Sequence, residues 1–165
     1  VLEMASVSYG YAITTYVGQN LGAKEYRRIR NGVRSGVYMA LITSIVISGV
    51  MVITGRNILS LFVSGEAGQV KQVLDIAYKY LFIMAIFLWV LYLLYVYRSA
   101  IQGLGNTLIP LASGVVEFCM RVGVALLLPK LIGEDGIFYA EISAWSGAAI
   151  LLIVSYVVII RKYKE

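Results

Sequence analysis

Ile76–Val96, IAYKYLFIMAIFLWVLYLLYV, carries Lys79 as its single charge and has no charged face to turn towards water. A helix of that length crosses the ~30 Å of hydrocarbon in a bilayer. Working outward, the same pattern recurs in Val37–Ile53, Leu108–Leu128 and Ile137–Ile160. Val1–Val17 is more dilute, with Glu3, Ser6, Ser8, Thr14 and Thr15 among its apolar residues. It reads as a fifth span whose polar side turns towards other helices or a water-filled cavity. The expected fold class is an all-α integral membrane protein with spans at about 1–17, 35–54, 76–97, 108–128 and 137–160.

Composition excludes the main alternatives. With 60% hydrophobic and 14% charged residues, the chain is too apolar for a soluble domain. A membrane barrel needs short segments alternating apolar with polar, whereas these blocks are apolar all round. Histidine is absent and Cys119 is the one cysteine, so a disulfide, the usual transition-metal clusters and histidine-based catalytic triads all fail. Cys119 reads as a small packing residue in mid-block. Gly103-Leu104-Gly105 follows no strand and precedes no Gly-Lys-Ser/Thr, so it is not a phosphate loop. Neither an enzyme nor a cofactor is expected. The chain begins with Val and lacks a basic leader or cleavage site, which reads as a segment cut from within a longer membrane protein.

The net charge of +5 is best read by position. Lys24, Arg27, Arg28, Arg30 and Arg34 follow the first span, Arg98 stands near the third connection, and Arg161, Lys162 and Lys164 follow the last span. Arg56, Lys71, Lys79 and Lys130 fall on the other side. The positive-inside rule then makes the richer side cytoplasmic, with the C-terminus there, in the plasma or inner membrane. Membrane lipid with anionic headgroups is the expected partner of those basic connections, and nucleic acid is not. On the outer side, Arg56–Ser64 is either a short interfacial helix or a turn extending the second span. PKLIGEDG, 129–136, is an exposed tight turn.

Charges inside a span are the informative ones, because an unpaired charge at the bilayer centre costs several kcal/mol. Glu117 and Arg121 lie four apart on one helix face, roughly 16 Å and 10 Å from the outer end of their span. Glu141 lies roughly 6 Å inside the outer boundary of the next span, so Arg121 has Glu117 or Glu141 as its partner. Two readings stand side by side: a coupling site whose carboxylate changes partner or protonation, and a permanent interhelical clamp. Tyr92 and Tyr95 could wall a cavity for a flat or cationic organic molecule, with Trp145 near the Glu141 region. Core packing is the alternative for each. Gly10 and Gly32-xxx-Gly36 are candidate sites of close helix approach, and Pro110 suits the first turn of its helix.

Two connections echo each other: Gln19-Asn20-Leu21-Gly22 and Gln102-Gly103-Leu104-Gly105. The longer stretches around them, GQNLGAKEYRRIRNG from Gly18 to Gly32 and YRSAIQGLGNTLIP from Tyr97 to Pro110, resemble two connections of the multidrug and toxic compound extrusion (MATE) transporters. The resemblance covers essentially the whole chain. Gly18, Gln19, Asn20, Gly22, Arg28, Arg98, Gly103, Gly105 and Pro110 are the loop-motif residues that carry it, and it gives them structural roles. It implies a two-lobed exporter of small organic, often cationic, substrates, working by alternating access with proton or sodium as coupling ion. Residues 1–165 would be most of the C-terminal six-helix lobe, partnered by an N-terminal lobe of the same chain. Flippases of lipid-linked saccharide share that architecture, and a non-transporting scaffold or truncated half is the remaining alternative. The span 76–96 has no carboxylate, which leaves Glu117 and Glu141 as coupling candidates on depth and charge alone.

Overall fold

The computed structural model describes residues 4–63 and 67–163. Glu3, Ser64 and Lys164, used in the sequence reading, lie outside them. Five long helices follow in order: α1 (Met4–Gly22), α2 (Tyr26–Ser60), α3 (Ala67–Gly103), α4 (Leu108–Leu127) and, after the short α5 (Pro129–Ile132) and a 3-10 turn (Glu134–Ile137), α6 (Phe138–Lys162). No strand occurs among the described residues. Four of these stretches, all but α1, are long and apolar enough to cross a membrane. α1 has the length but not the hydropathy, and it earns its place by packing instead.

α2 and α3 outrun the spans read from hydropathy. At 35 and 37 residues they are ~52 Å and ~55 Å long, nearly twice the hydrocarbon thickness. Hydropathy marks only the embedded part of each helix; the ends continue through the headgroup zone, where charges can be paired in water. At the end of the bundle away from Lys24, Arg56 bonds Asp75 at 2.7 Å, tying α2 to α3, and Lys79 bonds Asp135 at 2.6 Å, tying α3 to the 3-10 turn. Residues 56–60 prolong α2, so the segment that could have been an interfacial helix is an extension of the span followed by a turn.

α3 is the hub. It packs against α1, α2 and α6, while α4 rests on α6 and meets α3 at few points. Helices in lipid gain little from hiding apolar side chains, so close backbone approach and polar bonds hold them together. α1 presents Ser6, Gly10, Ile13 and Val17 at helical spacing, all buried. A side chain at Gly103 would meet Val17 and lie 2.8 Å from the Thr14 carbonyl oxygen, so glycine is what lets α1 and α3 touch. Gly32 and Gly36 do the same between α2 and α1, against Tyr16 and Ile13. Hydroxyl donors add to this: Thr14 to the Ser99 carbonyl, Ser48 to Ala85 and Tyr78 to Val52. On α4 most apolar residues face outward, Leu111, Val115, Phe118 and Leu126 among them. Cys119 is exposed there too, which corrects its reading as a packing residue.

The two echoing connections lie side by side at one end of the bundle, but their equivalence is shifted by two residues from the sequence match. α1 ends with Lys24 N–H donating to Leu21 and Glu25 N–H to Asn20; α3 ends with Gly105 N–H donating to Gln102 and Asn106 N–H to Ile101. Both are left-handed helix stops, with φ of 59° at Lys24 and 81° at Gly105. Lys24 thus stands where its counterpart has glycine. Replacing Lys24 by Gly should stabilise the chain by about 0.5–1 kcal/mol, and Gly105→Ala should destabilise it by about 1 kcal/mol. Thermal unfolding of the detergent-solubilised protein measures both, and shifts of the opposite sign would contradict the turn geometry.

Candidate functional site

Ser113, Glu117 and Arg121 recur every fourth residue of α4 and so share one stripe of it. Arg98 reaches this stripe from α3, five residues before that helix ends. Its Nη2 donates to Ser113 Oγ at 3.0 Å and to a carboxylate oxygen of Glu117. Ser113 is fully buried and its hydroxyl donates a hydrogen bond to the Pro110 carbonyl at 2.7 Å. The Arg98 and Glu117 side chains are 22% and 18% exposed. Arg98 Nε is buried with no partner, so the guanidinium still has a donor to offer.

Glu117 and Arg121 do not pair with each other. Glu117 pairs with Arg98, and Arg121 donates instead to Glu141 on α6 at 2.7 Å. The charges therefore form two separate pairs, one between α4 and α3 and one between α4 and α6, and Arg121 takes the second of its two expected partners. Arg98 is also not a loop cation but a helix residue directed inward. Its place directly after an apolar block points to a connection, because hydropathy gives no hint of where a long side chain turns. The available signal was Ser113 and Glu117, four apart on α4 with Arg98 on the preceding helix.

The pairs differ in depth. Glu117 lies near the middle of α4, ~15 Å from the helix end at Leu127. Arg121 and Glu141 lie ~9 Å and ~5 Å from the ends of their helices, and their side chains are 44% and 31% exposed. Arg98, five residues from the end of α3, and Arg121 can each extend towards the headgroups when released; the short Glu117 side chain near mid-helix cannot.

Of the aromatic candidates, Tyr92 and Trp145 are core residues, and Tyr95 is half-buried. The Tyr92 ring sits 6.1 Å from that of Tyr9, and its hydroxyl is buried without a partner. The Tyr9 hydroxyl bonds Thr43 at 2.7 Å, a polar link between α1 and α2 that hydropathy did not reveal. Beside it, Tyr9, Tyr16, Ser35 and Met39 line a cavity of about 460 Å³ between α1 and α2. Among the loop-motif residues, Gly18, Gln19 and Gly22 are exposed, while Gly103 and Pro110 are buried. Asn20 caps back onto the Tyr16 carbonyl, and Arg28 pairs loosely with Glu25 at 3.8 Å. Pro110 lies in the first turn of α4, where its missing N–H costs nothing, and Asn106 accepts the Ile109 N–H at that end.

The MatE family model matches residues 1–127, which takes in α1 to α4 with both glycine-bearing connections, Arg98 and Glu117. The chain belongs to the MATE family. It is therefore a multi-pass membrane protein of a transporter family. One relative is the "Probable multidrug resistance protein YoeA" of Bacillus subtilis (strain 168), 27% identical over 141 residues and 86% of this chain. The chain spans about a quarter of the length of that relative, 25%. Within this MATE chain the matched region holds Arg98, Glu117 and Arg121, and the other half of the outer pair, Glu141, follows it.

The two pairs should respond differently to truncation. Glu117→Leu leaves Arg98 unpaired in the bundle and should cost about 2–4 kcal/mol, whereas the double variant R98M/E117L should recover much of that loss. Arg121→Met should cost only about 1 kcal/mol, since Glu141 lies close to the headgroup zone. Thermal melts of the solubilised variants measure this; equal losses for Glu117→Leu and R98M/E117L would refute the dependence of Arg98 on Glu117.

Proposed function

We propose that this chain forms most of the C-terminal lobe of a two-lobed secondary exporter, which moves small organic, often cationic, compounds out of the cell by alternating access. The observation that carries this reading is the Arg98–Glu117 bond, joining two helices that otherwise meet at few points. Glu117 is the coupling carboxylate. With its charge intact it holds Arg98 and draws α4 to α3. A proton taken up by the carboxylate, or a sodium ion placed against it, removes the attraction and frees α4 to move. Arg121 and Glu141 act as the clamp, so that α4 travels with α6.

Basic residues at the ends of α1, α2 and α6 support a cytoplasmic position for that face and for the C-terminus, in the plasma or inner membrane. Tyr95, half-buried, is the aromatic residue best placed to reach a substrate, with Tyr92 packed behind it. A site between two lobes needs both, so the N-terminal lobe is the essential partner. The flippase reading calls for cations left free to face an anionic substrate. Arg98 is a second half-buried cation, yet Arg98 and Arg121 each have a carboxylate partner, which favours export of neutral or cationic compounds.

In the intact protein, Glu117→Gln should reduce gradient-driven efflux of a fluorescent organic cation at least about tenfold while its amount in the membrane stays normal. Full efflux with a reduced amount in the membrane would make the pair a clamp and end the coupling role. Glu141→Gln should retain efflux.

A further inference from the structure

Arg30 and Arg34 stand one turn apart on α2, on the same face, at the end of the bundle where the connections are basic. Each of the five ion pairs found among the described residues uses another cation, so neither of these two arginines has a carboxylate partner there. Their donors are only partly used. Arg30 gives one Nη2 bond to the Tyr163 carbonyl at the end of α6. Arg34 lies 5.7 Å from the Tyr38 ring centre and makes a long 3.4 Å bond to its hydroxyl. A guanidinium has five N–H donors in a fork, so both retain donors suited to a phosphate.

Between them opens a cavity of about 250 Å³, lined by the two arginines, Tyr38, Tyr97 and Tyr156, with Val33, Val37 and Ile160 as its apolar wall. Tyr97 and Tyr156 meet edge to face at 5.4 Å, from α3 and α6. Three helices therefore contribute to one cavity, and no carboxylate lines it. Its depth is telling. Arg34 directly precedes the second span at 35–54, Tyr97 ends the third at 76–97, and Ile160 ends the last at 137–160. All lie where hydrocarbon gives way to headgroups.

We infer that this cavity binds the phosphodiester of an anionic phospholipid, with Arg30 and Arg34 on the phosphate oxygens and the tyrosines at its rim. The apolar wall and the outward-facing apolar residues of α2 and α6, such as Ile42, Ile45, Val154 and Val158, give the acyl chains a surface to lie on. A free phosphate ion would match the arginines but would leave that surface unused. Basic cavities between membrane helices suit this headgroup chemistry. The site is separate from the Arg98–Glu117 pair, and its test reads lipid binding rather than transport.

Titrating fluorescent phosphatidylglycerol into the purified chain in neutral detergent micelles tests it. R30Q/R34Q should bind about tenfold more weakly. R30K/R34K, which keeps the charge, should recover part of the loss. Y97F/Y156F, which keeps both rings, should bind about threefold more weakly. K24Q/R27Q, which removes the same charge from the same connection outside the cavity, should bind as the parent does, and so should the parent in excess inorganic phosphate. Equal loss in K24Q/R27Q would reduce the effect to a diffuse basic surface, and displacement by inorganic phosphate would make it a free-anion site. Unchanged binding in both R30Q/R34Q and Y97F/Y156F would overturn the site outright.

Discussion

Inside a bilayer, a helix gains nothing by exchanging lipid for another apolar helix unless the two can come very close or share a polar bond. The architecture follows from where this sequence permits either. α3 receives both kinds of contact: Gly103 admits α1, Gly55 of α2 admits Leu81, and the hydroxyls of Thr14 and Ser48 reach its carbonyls. α6 brings a row of small residues, Ala140, Ala144 and Ala148, that keeps its neighbours near. α4 is different. Gly147 of α6 gives it a close neighbour in Met120, but towards α3 it offers chiefly a charged stripe. One helix is thus held to the hub by electrostatics where the others are held by shape.

That difference sets what can move. Packing of small residues against a backbone has one good arrangement and loses contact steeply as helices shift. A carboxylate and a guanidinium can part and meet again, and a proton or a cation can substitute for one of them. In the proposed mechanism the α3–α4 seam is therefore where a change of charge becomes a change of structure, and the α1–α3 and α2–α3 seams are its fixed walls.

Much of the bundle was legible in the sequence because length and hydropathy are one-dimensional properties. Four apolar helices long enough to cross a membrane stand where apolar blocks were read, and Gly32 and Gly36 make the close helix approaches expected of them. The helices overran the spans because hydropathy does not register a helix end held in the headgroup zone by pairs such as Arg56–Asp75. The echo of 19–22 in 102–105 was misaligned because side-chain identity and backbone turn are separate signals; the left-handed residues Lys24 and Gly105 are the true counterparts. Lysine hides that equivalence, since the position favours glycine yet tolerates another residue at a cost.

The charge partners were the least legible part, for a physical reason. Glu117 and Arg121 are neighbours in sequence and share a face, and in an isolated helix that is enough to pair them. In the bundle each found a stronger demand. Arg98 enters the bundle with no carboxylate on its own helix nearby, so an unsatisfied cation on α3 outweighs an intrahelical contact worth only ~0.5 kcal/mol. Once Glu117 is claimed, Arg121 has Glu141 within reach on the helix against which α4 already packs. The pairing is fixed by the most costly unpaired charge, not by the nearest opposite one. The same ordering fits the proposed division of labour, in which Glu117, the carboxylate farthest from a helix end, meets the proton or ion and the Arg121–Glu141 pair holds.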